Sequence, residues 1–199
     1  MNMFRLMLLV LLLGLGGFGV AQPRNQPSSK ALDEAQLWQR LRSGEAVALL
    51  RHALAPGIGD PANFRLGDCD TQRNLSGEGR EQARAIGERF RRNGIKQAQV
   101  YSSRWCRCID TAQLLALGEV KPFEGLNSFF RDRSTAPEQT TKTRALMNEC
   151  SARGEPPLVL VTHQVNITAL TGIFPNSGEI IVLRPTDAGL RVLGRIDNP

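Results

Sequence analysis

Apolar and polar positions along the chain follow two periods, and the switches between them mark the elements. From Leu32 to Arg42, Leu32, Ala35, Leu37 and Leu41 recur among charged and polar residues, with Asp33 and Glu34 at the start, which predicts a short amphipathic helix. Ala46-Val47-Ala48-Leu49-Leu50 is a short, unbroken apolar run of the kind that forms a strand buried on both faces. The polar stretch Leu54 to Asn74, punctuated by Pro56, Gly57, Gly59, Pro61 and Gly67, predicts a long loop, and loops of that length in a compact domain are usually functional. Ser76 is a good N-cap for a helix that carries Ala83, Ile86 and Phe90 inward and stops at Gly94. The alternation continues with a strand over 98–101, a helix over 105–117 closed by Gly118, a strand over 120–123, a helix over 137–153, a strand over 157–162 and a helix over 164–172. Glu179 to Arg184 and Leu190 to Ile196 alternate about a turn at 187–189, which predicts an edge hairpin. Strands alternating with helices predict an α/β fold, a three-layer α/β/α sandwich with a mostly parallel sheet in a single domain over 31–199.

The first 30 residues break the pattern. One positive charge precedes an uncharged apolar run from Leu6 to Val20, with Gly19 and Ala21 at the −3 and −1 positions of a cleavage site. That is the layout of a signal peptide over residues 1–21, and the run falls short of the roughly 20 apolar residues a membrane span needs. Residues 22–30, polar and rich in Pro, Ser and Asn, read as a flexible leader. The expectation is an exported protein that touches a membrane only through this segment while it is uncleaved.

Net charge is +6, which raises nucleic acid as a partner, but aromatic residues make up 6% and no run of Lys/Arg exceeds two, so the basic groups suit small anions better. Four cysteines in an exported chain predict disulfides, with three pairings open. Cys106 and Cys108 have no matching pair elsewhere, so the spacing does not suggest a metal site.

The chain has two histidines, and each directly follows a predicted buried strand, in Leu50-Arg51-His52-Ala53 and Val161-Thr162-His163-Gln164. A third segment, Ser102-Ser103-Arg104-Trp105-Cys106-Arg107, also leaves a strand and opens a helix. Singly, such a histidine is more often a hydrogen-bonded structural residue and such an arginine a surface charge. Together at the carboxyl ends of strands, where α/β sheets bind ligands, they would be an odd way to build a core, because buried charges need partners.

These pieces resemble, in order, the histidine phosphatase (phosphoglycerate mutase-like) superfamily. Arg51-His52-Ala53 is similar to its Arg-His-Gly/Ala signature and Leu75-Ser76 through Gln82-Ala83 to its following helix start. Ser102-Ser103, Arg107 and Thr111-Ala112 match its Ser-Ser-x-x-x-Arg-x-x-x-Thr-Ala, and Val161-Thr162-His163 its second histidine. The resemblance implies that His52 and His163 are catalytic, with His52 attacking phosphorus, and that Arg51, Arg107 and His163 bind the phosphoryl oxygens. Arginine suits that role because its planar fork stays charged and grips phosphate with two donors. Guanidinium groups then neutralise the transferring group, so neither a metal nor a cofactor is expected. Arg104 stands where members often carry proline and is a further contributor to weigh. The same motifs bring Cys69 toward Cys106 or Cys108, leaving the pairing and Cys150 open. The family's acid is missing: Leu126-Asn127-Ser128 and His163-Gln164 hold no carboxyl group at the positions that often carry one, and Glu124, Asp132 and Asp60 are the candidates to replace it. The implied function is a periplasmic, metal-independent phosphomonoesterase of the histidine acid phosphatase type, acting through phosphohistidine on a small phosphomonoester, phosphorylated sugar or envelope component. A phosphomutase and a non-catalytic phosphate- or phosphosugar-binding protein are the alternatives.

Overall fold

Hydrogen-bonding side chains start the first two helices where the sequence places them. The computed structural model describes residues 31–152 and 156–197; the expected signal segment and leader, residues 1–21 and 22–30, lie outside the described residues. Helix α1 (Glu34–Arg42) opens with a capping box, Asp33 accepting from the Gln36 amide and the Gln36 side chain accepting from the Asp33 amide. Helix α2 (Gly77–Arg92) opens on Ser76, whose hydroxyl accepts from the Gly79 amide at 3.0 Å. The other elements are β1 (Val47–Arg51), β2 (Gln99–Ser102), α3 (Cys106–Leu115), β3 (Val120–Pro122), α4 (Ala136–Ala152), β4 (Leu158–Thr162), α5 (Gln164–Thr171), β5 (Ile180–Thr186) and β6 (Gly189–Ile196). Helix α3 ends earlier than its pattern predicts: Ala116 takes the left-handed conformation, φ 50°, and closes the helix before Gly118 is reached.

The six strands form one sheet in the order β3-β2-β4-β1-β5-β6. The first four are parallel, and β5 and β6 add an antiparallel hairpin at the edge. Side chains alternate across each strand, so Ala48 and Leu50 of β1 join Val159 and Val161 of β4 on one face while Val47, Leu49, Leu158 and Leu160 occupy the other. The first face packs on Leu37 and Leu41 of α1, Ile86 and Phe90 of α2, and Ala112 and Leu115 of α3. The second packs on Leu146 and Met147 of α4 and Ile167 and Leu170 of α5. The result is the three-layer sandwich the sequence predicts. No helix among the described residues is long and apolar enough to cross a membrane.

The loop over 54–74 is fastened at several points. A disulfide joins Cys69 to Cys106 at the start of α3, Cα atoms 5.7 Å apart, and Cys108 keeps its thiol in the core. Phe64 stacks on Trp105, ring centroids 5.1 Å apart. Two glycines let α2 come close enough to hold the loop and α3. A Cβ on Gly79 would stand 2.0 Å from the carbonyl oxygen of Leu54, and one on Gly87 2.2 Å from that of Leu115. Backbone cannot yield as a flexible side chain does, so Gly87→Ala is expected to force α2 from α3 and lower stability by about 2 kcal/mol or more, as urea denaturation would measure.

Candidate active site

Register brings the two histidines together. Strands β1 and β4 are parallel neighbours with Arg51 opposite Thr162, so the next residue on each, His52 and His163, emerges at the same edge of the sheet. The His52 amide donates to the Thr162 carbonyl at 2.9 Å, and the rings meet edge to face with centroids 5.5 Å apart. On the other side of β4, β2 places Ser102 opposite Val161, which delivers Ser103 to the same edge. Ser103 and Trp105 then lead into α3, whose first turn carries Arg107. A cavity of about 250 Å³ opens here, lined by Arg51, His52, Asp60, Arg73, Arg107 and His163 among others. The start of α5, at Gln164 and Val165, borders it.

Hydrogen bonds fix the tautomer of each ring. Nδ1 of His52 lies 2.8 Å from the Ala53 carbonyl oxygen, which only accepts, so Nδ1 carries the proton and Nε2 keeps its lone pair. For His163, the Arg107 guanidinium donates to Nδ1 at 3.4 Å, so Nε2 carries the proton and donates to the Ser103 hydroxyl at 2.8 Å. Thr111 braces both sides of the site, accepting from the Ala53 amide at 3.0 Å and donating to the Arg107 carbonyl at 2.6 Å. Gln82 accepts from the Leu54 amide at 2.7 Å, which is the structural role of the Gln-Ala pair in α2.

The model of the histidine phosphatase superfamily (branch 1) matches residues 47–130, a span that runs from β1 through both arginine-bearing segments. Over those residues the chain is similar to the histidine phosphatase superfamily. Solved structures with the same fold include the protein histidine phosphatase SixA complexed with tungstate, at TM-score 0.52 and 15% identity over 76% of this chain and 96% of that one. The mycobacterial glucosyl-3-phosphoglycerate phosphatase matches at TM-score 0.54 and 19% identity over 74% and 96%. Phosphoserine phosphatase from Entamoeba histolytica, bound to phosphoserine, matches at 0.51 and 16% over 75% and 95%. Curated proteins yield no match to the sequence.

The predicted residues separate clearly. Arg51, His52, Arg107 and His163 meet at the cavity. Of the three acid candidates only Asp60 does, and it receives the Arg107 fork at 2.7 and 3.3 Å, the Trp105 indole N–H at 3.1 Å and the Arg73 amide at 3.2 Å. Burial pushes the Asp60 carboxyl up, but the hydrogen bonds and charge of Arg107 outweigh it and hold the group below its ordinary range. It stands as a carboxylate, the wrong form for donating a proton. Glu124 is exposed and pairs with Lys142, and Asp132 is exposed and caps the turn at Ser134, so neither lines the cavity. Arg104 is exposed and outside the cavity lining as well. Sequence reasoning missed Arg73, which lines the cavity and donates to the carbonyls of Gly59, at 2.7 Å, and Ala55. Its signal was a position two residues before the Leu75-Ser76 helix start, at the end of the loop.

The site is rich in positive charge, and the histidines respond. Burial foremost, then the Arg107 charge, with Arg51 and Arg73 behind it, push His52 down to about 3 against the opposing hydrogen bond to Ala53. His163 is driven well below its ordinary value by burial and then by Arg107 and the other cations around it. Arg73 falls to about 10, first through burial and then through Arg107. Both imidazoles are therefore neutral at pH 7. From about 6.5 down to about 3 an unfolded His52 holds a proton that the folded one refuses, so its contribution to stability is complete above pH 6.5 and is lost as pH falls toward 3. The chain has no third histidine. Urea denaturation is expected to show stability about 3 kcal/mol lower at pH 5 than at pH 7, above the range where carboxylates titrate, with His52→Asn removing about half of the drop.

Proposed function

We propose that the chain is a metal-independent phosphomonoester hydrolase of the histidine acid phosphatase type, in which His52 accepts the phosphoryl group. The observation that carries this reading is the tautomer of His52. A neutral ring with Nδ1 tied to a carbonyl and an unprotonated Nε2, buried beside three arginines, is an imidazole prepared to attack an anion. The lone pair of Nε2 forms the N–P bond as the P–O bond to the leaving alcohol breaks, and the departing oxygen takes its proton from water. Water then attacks phosphorus, phosphate leaves and the imidazole is restored. Arg51 and Arg107 hold the phosphoryl oxygens and Arg73 adds a third positive charge, while His163, with its one N–H donated to Ser103 and Nδ1 accepting from Arg107, orients those groups. Preorganised cations in a small buried cavity stabilise the charge that spreads over the equatorial oxygens without having to reorganise at the moment of transfer.

Two features support an exported, periplasmic location: the signal-peptide layout of residues 1–21, and the Cys69–Cys106 disulfide, a bond that persists in oxidising compartments. Small phosphorylated molecules are the substrate class, in keeping with a fold neighbour that is a phosphoserine phosphatase bound to phosphoserine. Phosphorylated sugars and envelope components belong to the same class.

Purified protein is expected to hydrolyse p-nitrophenyl phosphate in the presence of a chelator and to form an acid-labile phosphoenzyme. His52→Ala should abolish the label and lower turnover by at least about a thousandfold. Turnover that appears only when a divalent cation is added would count against the mechanism. Isomerisation of a phosphoglycerate without release of phosphate would instead identify a mutase, and phosphate binding without any label a binding protein.

A further inference from the structure

A second cavity, of about 460 Å³, adjoins the first. The two share Phe130, Gln164 and Val165 in their linings. Phe130 stands at the divide with its ring 45% exposed, near the loop, where a Cβ on Gly59 would lie 3.7 Å from it. Beyond it, Phe129, Ala169 and Phe174 make the second cavity mainly apolar, and the Phe174 ring is 72% exposed. Single exposed apolar residues are ordinary, but Phe130 and Phe174, exposed in one concave lining backed by the buried Phe129 beside a catalytic cavity, mark a place where apolar area is covered by a ligand.

We propose that this second cavity receives the aromatic body of the leaving group, so that the substrates are aryl phosphates. The inference rests on the hydrolase reading above and deepens it. Adjacency is the first argument. The phosphoryl group belongs among the arginines, the organic part of the ester must extend from it, and the space that adjoins through the shared wall is apolar. The second argument is independent and chemical. Among the described residues lining the catalytic cavity the one carboxyl group is Asp60, ionised and engaged by both arms of Arg107. Gln164, at the shared wall, donates one amide N–H to the Thr168 hydroxyl at 3.0 Å, and an amide is too weak an acid to protonate an alkoxide. An aliphatic alkoxide leaves poorly without a proton. A phenolate, whose parent hydroxyl ionises near pH 10, carries its charge into the ring and departs without one. In the transfer, Nε2 of His52 bonds to phosphorus as the P–O(aryl) bond breaks, the bond's electrons stay on the phenolate oxygen, and water later protonates it. Apolar walls and a scarcity of acid thus select the same leaving group.

Phosphonates resist hydrolysis and so read the cavity without turnover. Calorimetric titration of the full protein with 1-naphthylmethylphosphonate is expected to give binding about tenfold tighter than methylphosphonate and tighter than n-octylphosphonate. In Phe174→Ser, a change at an exposed ring that leaves the core intact, the naphthyl advantage should shrink to about threefold. Equal affinity for the naphthyl and methyl compounds would overturn the proposal. So would an octyl compound that binds as well as the naphthyl one, or an advantage that survives both Phe174→Ser and Phe130→Ser. A naphthyl preference in binding, with no turnover of 1-naphthyl phosphate or any other phosphomonoester, would sink the hydrolase reading while leaving the aromatic site in place.

Discussion

Three guanidinium groups crowd one small cavity, and their mutual repulsion and lost hydration are the constraint that the surrounding structure answers. Asp60 is the main answer. Its carboxylate, almost fully buried with Arg107, accepts both arms of that guanidinium and is itself secured by the Trp105 indole and the Arg73 amide. Removing either partner would leave a buried charge uncompensated, which is far more costly than the pair is stabilising. Glu179 plays a lesser part under Arg51, its buried carboxylate bonded to Arg195 and to the Asn176 amide, while Arg51 itself donates to the Pro175 carbonyl at 2.8 Å.

The same field decides the state of the histidines. An imidazolium in this cavity would face burial and several guanidinium neighbours, so both rings stay neutral. Neutrality alone does not make a nucleophile, because either ring nitrogen can carry the remaining proton. Local backbone settles that. The Ala53 carbonyl accepts a hydrogen bond from Nδ1 of His52 and so keeps the proton there, and Ser103 and Arg107 impose the opposite tautomer on His163. Two chemically identical side chains thereby come to differ in what they can do.

A rigid wall follows from the need to keep Asp60 in place. Asp60 sits in a loop of some twenty residues that has almost no regular structure, and such a segment would ordinarily lose a large conformational entropy on ordering. It is held instead by the disulfide to Cys106, by Phe64 stacked on Trp105, and by Arg73 donating to the Ala55 and Gly59 carbonyls. Loop and catalytic cavity are thus stabilised by the same residues. Ser128 and Gln164, neither of which carries a carboxyl group, line the cavity, and Gln164 also lines the more apolar cavity beside it.

The sequence by itself determined the layers and the two histidines. Buried strands such as Val47 to Leu50 and Leu158 to Val161 announce themselves by unbroken apolar runs, and a residue that ends such a strand must emerge at the ligand-binding edge. Local signals of that kind also fixed the caps at Asp33 and Ser76. What tertiary structure alone decided was every pairing between distant segments. Asp60 as the partner of Arg107, Arg73 at the cavity, Cys106 rather than Cys108 in the disulfide, and Glu124 and Asp132 outside the site all depend on where a loop without periodicity lies against α3. Periodic elements write their burial into the sequence, because side chains repeat with the backbone. An irregular loop has no such repeat, so its contacts exist only once the whole chain has folded around them.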